Sequence, residues 1–205
     1  MARGARGIMN VAALYIDPRG PYPALLGADL CWDEKRDART YPGPWPVVAH
    51  PPCGPWGALK HLSKNHDASL APLAVDQVRQ WGGVLEHPAR SGLWAHCRLP
   101  LPGELPDADG GVTVAVNQVE WGHACAKPTW LYVVGVRRLP GPAPEPGRAP
   151  THGIWYGDFE RAGRAGPLLK GASKEIRRRT PVEFAKWLIA LADAAGEARR
   201  PKETG

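Results

Sequence analysis

The chain has 205 residues, 43% of them hydrophobic and 22% charged, enough for one domain with a sizeable core. Its formal charge of +6 and pI near 9.3 draw it toward polyanions such as nucleic acid. The four cysteines (Cys31, Cys53, Cys97, Cys125) form no CxxC pair, and no apolar run has signal-peptide or membrane-span length. These features argue against a disulfide scaffold, a secreted chain and a membrane protein; the expected setting is a reducing cytoplasm with free thiols.

Glycine and proline number 24 and 23, so long loops and rigid turns are expected between the elements. After a basic start, residues 10–16 (NVAALYI) read as a buried strand ending at Asp17, followed by the loop DPRGPYP rather than a helix. A charged stretch, CWDEKRDARTY, precedes a second strand over 46–50 (PVVAH), which stops at Pro51-Pro52-Cys53-Gly54. Apolar residues at helical spacing predict a helix over 70–81, stopped by Gly82-Gly83. A very short strand, Val84-Leu85-Glu86, is closed by His87-Pro88; strands are expected again over 112–119 and 130–136. A Pro-rich loop over 139–150 leads toward a final helix over 180–195, capped by Thr180 with Pro181 in its first turn, and then a mobile tail. Strands alternating with helical segments predict an α/β sheet with helices on both faces. Ligands of such sheets collect at the carboxyl ends of the strands, which places Asp17, residues 50–53 and residues 86–88 at the expected site.

HPPCGPWG, residues 50–57, carries the strongest chemical signal. Two prolines stiffen the backbone ahead of Cys53, which suits a nucleophile held at a strand end; a buried, inert thiol in a Pro-rich turn is the other reading. Glu86 ends the next strand, where a parallel sheet sets it beside Cys53. A thiolate that attacks C6 of a pyrimidine and an acid that engages N3 form a workable pair, and the acid role calls for a raised Glu86 pKa. His50-x2-Cys53 and His61-x4-His66 raise the question of zinc, but no second close pair has the usual spacing and no metal is assigned.

Taken in order, these pieces resemble the cytosine-5 DNA methyltransferases. Pro51-Pro52-Cys53 resembles their PPC loop and Glu86-His87-Pro88 their Glu-Asn-Val. Trp121-Gly122-His123 with Lys127-Pro128-Thr129 and WLYVVG is similar to their FG-x-PQ-x-R-x-R stretch and the strand after it. Arg179-Thr180-Pro181-Val182 resembles their turn into a final helix. The resemblance spans residues 11–135 and 176–195. It implies a Rossmann-like methyltransferase sheet in a single catalytic domain over 1–205, with residues 137–178 as a minimal DNA-recognition region.

The same resemblance implies that Cys53 attacks C6 of a flipped cytosine, that Glu86 engages N3 and the exocyclic amine, and that Lys127 and His123 steady the base. It implies S-adenosylmethionine as methyl donor, over Asp17, Gly20, Tyr22, Asp37, Pro51, Pro52 and Thr180. DNA is the implied partner, met by Trp56, His87, Arg161, Arg164, Arg177 and Arg178. Departures are plain: the Gly-rich first loop is reduced to Asp17-Pro18-Arg19-Gly20-Pro21-Tyr22, His87 replaces the Asn, and the unit carrying an acidic residue for the cofactor ribose after the second strand reads as deleted. Small size and lost motifs are similar to a phage-type or mobile-element enzyme. Two rivals stay open: the same C6 chemistry with a different donor, and an inactive DNA-binding module of the same fold. A zinc nuclease or deaminase ranks below both, since the chain lacks the deaminase PCxxC.

Overall fold

The computed structural model describes residues 10–57, 67–136, 138–141, 143–154 and 169–199. Its centre is a six-stranded sheet in the order β2-β1-β3-β4-β6-β5. β1 (Ala12–Leu14), β2 (Cys31–Trp32), β3 (Val47–Ala49) and β4 (Gly83–Pro88) run parallel. β6 (Pro128–Val134) runs antiparallel to both β4 and β5 (Val112–Asn117). A separate two-stranded pair joins β7 (His152–Gly153) to β8 (Lys170–Gly171).

The strands alternate, and each face finds its own helices. On one face Ala12, Leu14, Val47, Ala49, Leu85 and Tyr132 pack against α2 (Leu70–Trp81) and α3 (Gly92–Cys97). On the other, Val11, Ala13, Val48, Val84 and Leu131 pack against α5 (Val182–Arg199) and Tyr22 of α1 (Tyr22–Leu26). A short helix, α4 (Lys174–Arg178), precedes α5. The architecture is α/β with helices on both faces, consistent with a Rossmann-like fold. Among the described residues no helix is long and apolar enough to cross a membrane.

Several elements differ from their sequence-based expectation. β4 is six residues long rather than three, because β6 pairs with its whole length, from Gly83↔Val134 to Pro88↔Thr129. The stretch after β1 is not all loop: α1 and β2 form a compressed helix–strand unit, so the second strand is present rather than deleted, and Asp33 follows it directly. β5 ends at Asn117, whose side chain caps a 3-10 turn over Gln118–Trp121. The last helix starts at Val182, where the Pro181 carbonyl accepts from the Ala185 N–H at 3.0 Å, and it continues to Arg199. Thr180 therefore lies one position outside the cap. Gly83 has φ +111°, and a Cβ there would meet the Val47 carbonyl oxygen at 2.0 Å, so only glycine admits the approach of β3 to β4.

Candidate active site

The chain leaves β1 toward β2 on one side and returns to β3 on the other, so strand order reverses between β1 and β3. In doubly wound sheets ligands collect at such a reversal, outside the carboxyl ends of the two strands. The loop after β1 borders it with a tight turn, in which the Gly20 N–H donates to the Asp17 carbonyl at 2.8 Å. The residues after β3 border it from the other side. The His50 N–H donates to the Leu14 carbonyl at 3.0 Å, extending the β1–β3 ladder one residue beyond the strand.

Pro51 is buried, Pro52 half-buried and Cys53 exposed. The Cys53 carbonyl accepts from the Trp56 and Gly57 N–H groups at 3.0 and 2.8 Å, closing the PPCGPW segment into a turn. The Gly92 N–H at the start of α3 donates to the Trp56 carbonyl at 2.9 Å and anchors that turn. The Trp56 ring rests against His96 at 4.8 Å.

Glu86 lies beside this turn. Leu85 pairs with Ala49 in the parallel register, so the next residues, Glu86 and His50, are neighbours. His50 Nδ1 and Glu86 Oε2 are 3.0 Å apart, and Gln118 Nε2 donates to Glu86 Oε1 at 2.7 Å and to Thr129 Oγ1 at 3.0 Å. Behind His50, the buried Tyr22 hydroxyl lies 2.6 Å from Nε2.

Electrostatics tie these groups to Cys53 and Lys127. Burial pushes the Glu86 carboxyl upward, but the Lys127 ammonium, the His50 hydrogen bond and the charges of His50 and His87 outweigh it, leaving its pKa at about 2. The acid is therefore ionised, which corrects the expectation of a raised pKa: cationic neighbours win over burial. Desolvation of the Cys53 sulfur by the surrounding protein pushes the thiol up, and the Glu86 charge adds to it; Lys127 and Arg178 pull it back in part. Burial, and after it the Lys127 charge, lower the His123 pKa.

Cys53, Glu86, Lys127 and His123 thus share one neighbourhood, and Arg178 of α4 acts on both Cys53 and Asp17. Asp17 bonds Arg19, and Asp37 bonds Arg39 while its charge bears on Tyr15 at the end of β1. Thr180 is half-buried just before α5, Arg178 is exposed, and Arg177 is half-buried. A cavity of about 230 Å³ lies between His123, Trp121, Ile176, Arg179, Pro181 and Val182, below the size that encloses a whole nucleoside cofactor.

Two assignments are corrected by burial. Tyr22 is 2% exposed and turned onto His50, so it has no face for a cofactor. His87 is 0% exposed inside the sheet layer, so it has none for DNA. Arg161 and Arg164 lie outside the described residues, as do His61 and His66. Among the described residues no cluster of His, Cys, Asp and Glu is arranged to hold a metal.

The sequence reading placed His50 at the strand end but gave it no partner other than zinc; its bond to Glu86 needs the register of β3 on β4. Gln118 follows β5 and carried no chemical signal. Asp33 was legible only as part of a charged run until β2 appeared before it. A scan against models of known protein families finds no match for this chain, and a search of curated proteins finds none.

Proposed function

We propose that the chain is a DNA cytosine-C5-modifying enzyme, resembling a reduced cytosine-5 DNA methyltransferase, in which Cys53 adds to C6 of a flipped base. The observation that carries the proposal is one arrangement: an exposed thiol in a rigid turn after β3, with the Glu86 carboxylate on the neighbouring strand and the Lys127 charge acting on both. Ionised Glu86 is an acceptor, which suits the exocyclic amine of cytosine and disfavours the carbonyl that uracil and thymine carry there. Lys127 lowers the cost of forming the thiolate and faces the same ring. Flipping costs a few kcal/mol for unstacking, and cations of α4 are placed to offset it through phosphate contacts.

We assign S-adenosylmethionine as the donor on the resemblance, with Asp17, Asp33 and Asp37 as the polar groups near the switch point. Asp17 and Gly20 lie in the exposed loop after β1, and Asp33, directly after β2, is our candidate for the acidic residue that the family sets on the ribose. Asp33 Oδ1 caps its own turn by accepting from the Lys35 and Arg36 N–H groups, both at 2.9 Å. Among the described residues, its second oxygen accepts no hydrogen bond. Asp37 lies further along the same border. Bound there, the cofactor supplies an electrophilic methyl group; the chain supplies the nucleophile, the orientation and the protons.

The raised thiol pKa favours one second reading, a base-binding module in which Cys53 is inert. Product analysis separates the two. Wild-type protein is incubated with DNA and S-adenosylmethionine, and the digested nucleosides are weighed by mass spectrometry. The proposal expects 5-methylcytosine, lost in Cys53→Ser and reduced at least 100-fold in Glu86→Gln. Unmodified DNA across varied sequence contexts, with binding retained, favours the module.

A further inference from the structure

His50 is the least explained group near Cys53. It is a titratable ring, its side chain 13% exposed, bonded on one nitrogen to Glu86 and on the other to a buried tyrosine. A structural histidine needs neither partner to be ionisable; this one has both.

We propose that His50 is a positioning residue and proton store for Glu86, so that the chain Tyr22–His50–Glu86 provides the proton that N3 of a bound cytosine takes up when Cys53 adds to C6. The inference rests on the base-modifying reading above and deepens it. Burial holds the Tyr22 hydroxyl protonated, so in the neutral imidazole that hydroxyl donates into Nε2 and the ring proton sits on Nδ1, pointing at Glu86. In the imidazolium both nitrogens carry protons, and the hydroxyl oxygen turns acceptor. Glu86 has no proton of its own near neutrality, so a donor role toward N3 requires a second group within reach.

The step balances. The Sγ–C6 bond forms, the C5–C6 π electrons shift toward N3, and N3 gains one proton from Glu86, which takes one from His50. The thiol proton leaves to solvent at the exposed turn; His50 gives its proton as the imidazolium, is left neutral, and takes the proton back through Glu86 when the Sγ–C6 bond breaks and N3 releases it. The charged and titratable groups facing the pair are Tyr22 from α1, Cys53 from the turn, His87 from β4, Lys127 before β6 and His123 after the 3-10 turn. Lys127 and the His50 hydrogen bond hold Glu86 ionised between turnovers, so the proton is lent only once a base competes for it.

The test is the rate of covalent adduct formation with a 5-fluorocytosine oligonucleotide across a pH series, for wild type, His50→Gln and Tyr22→Phe. Wild type should depend on two titrating groups. His50→Gln should bind the oligonucleotide within about twofold of wild type, react on the order of 100-fold more slowly, and depend on one titrating group only. Tyr22→Phe, which removes one buried hydroxyl, should displace the same limb of the profile. In the free protein, nitrogen NMR of the neutral imidazole should find the proton on Nδ1. A wild-type adduct with an unchanged His50→Gln profile, or a ring proton on Nε2, overturns the relay alone. No wild-type adduct at all overturns the base-modifying reading and the relay with it.

Discussion

His87 ties the state of a single proton to the stability of the fold. Its imidazole is fully buried, and burial brings its pKa down from 6.5 to about 4, while Glu86 and the Pro52 backbone pull weakly the other way. The folded state therefore binds this proton less well than the unfolded chain does. Stability is complete above about pH 6.5 and declines as pH falls toward 4, by about 3 kcal/mol from this residue. His123 is shifted in the same direction and adds to the same window. Glu86, with its pKa lowered from 4.5 to about 2, contributes stability that is present above pH 4.5 and lost below it. Urea unfolding of the wild type should thus weaken from pH 7 to pH 4.5, and His87→Asn should remove most of that decline. A wild-type stability that is flat across this window contradicts the burial argument. Little of this was legible beforehand: the sequence marked Glu86 and Cys53 as a pair, but the sign of the Glu86 shift depends on Lys127 and His50, which only the folded register brings close.

The elements show why some boundaries were readable and others were not. α2 carries its own period and its own stop, so its span over 70–81 follows from local sequence. β4 does not, since Glu86-His87-Pro88 reads as a strand terminus until β6 pairs along it. β2, at two residues, carries too little pattern to be seen at all, and missing it concealed both the second helix–strand unit and Asp33. Two substitutions test the element contacts. Gly83→Ala drives a Cβ into the Val47 backbone and forces a residue with φ +111° to leave that region; it should uncouple β3 from β4 and lower both stability and adduct formation. Phe184→Ala empties a fully buried ring of α5 that packs on Trp121 at 5.2 Å, and should cost about 3–5 kcal/mol in urea unfolding. A cost below about 1 kcal/mol for Phe184→Ala would show that α5 is not the second wall of the core.

At the scale of the whole molecule, the sheet gathers chemistry at one edge. The carboxyl ends of β1, β3 and β4 bring together residues that are 69 positions apart in the chain, from Asp17 to Glu86, and α4 with the Lys127 loop closes toward them from the C-terminal half. The net charge is +6, and Arg178, which is exposed, bears electrostatically on both Cys53 and Asp17. If α4 grips phosphates, Arg178→Ala should weaken DNA binding across sequences alike and flatten the slope of log affinity against log salt by about 1. An unchanged slope would remove Arg178 from the interface. The central claim is that Cys53 forms a bond to a cytosine base. Its most direct test is the intact mass of the protein after incubation with 5-fluorocytosine DNA and S-adenosylmethionine, followed by peptide mapping. The account predicts a covalent DNA adduct on the peptide that contains Cys53, absent in Cys53→Ser; DNA that binds without any mass increase, in every sequence context tried, would contradict it.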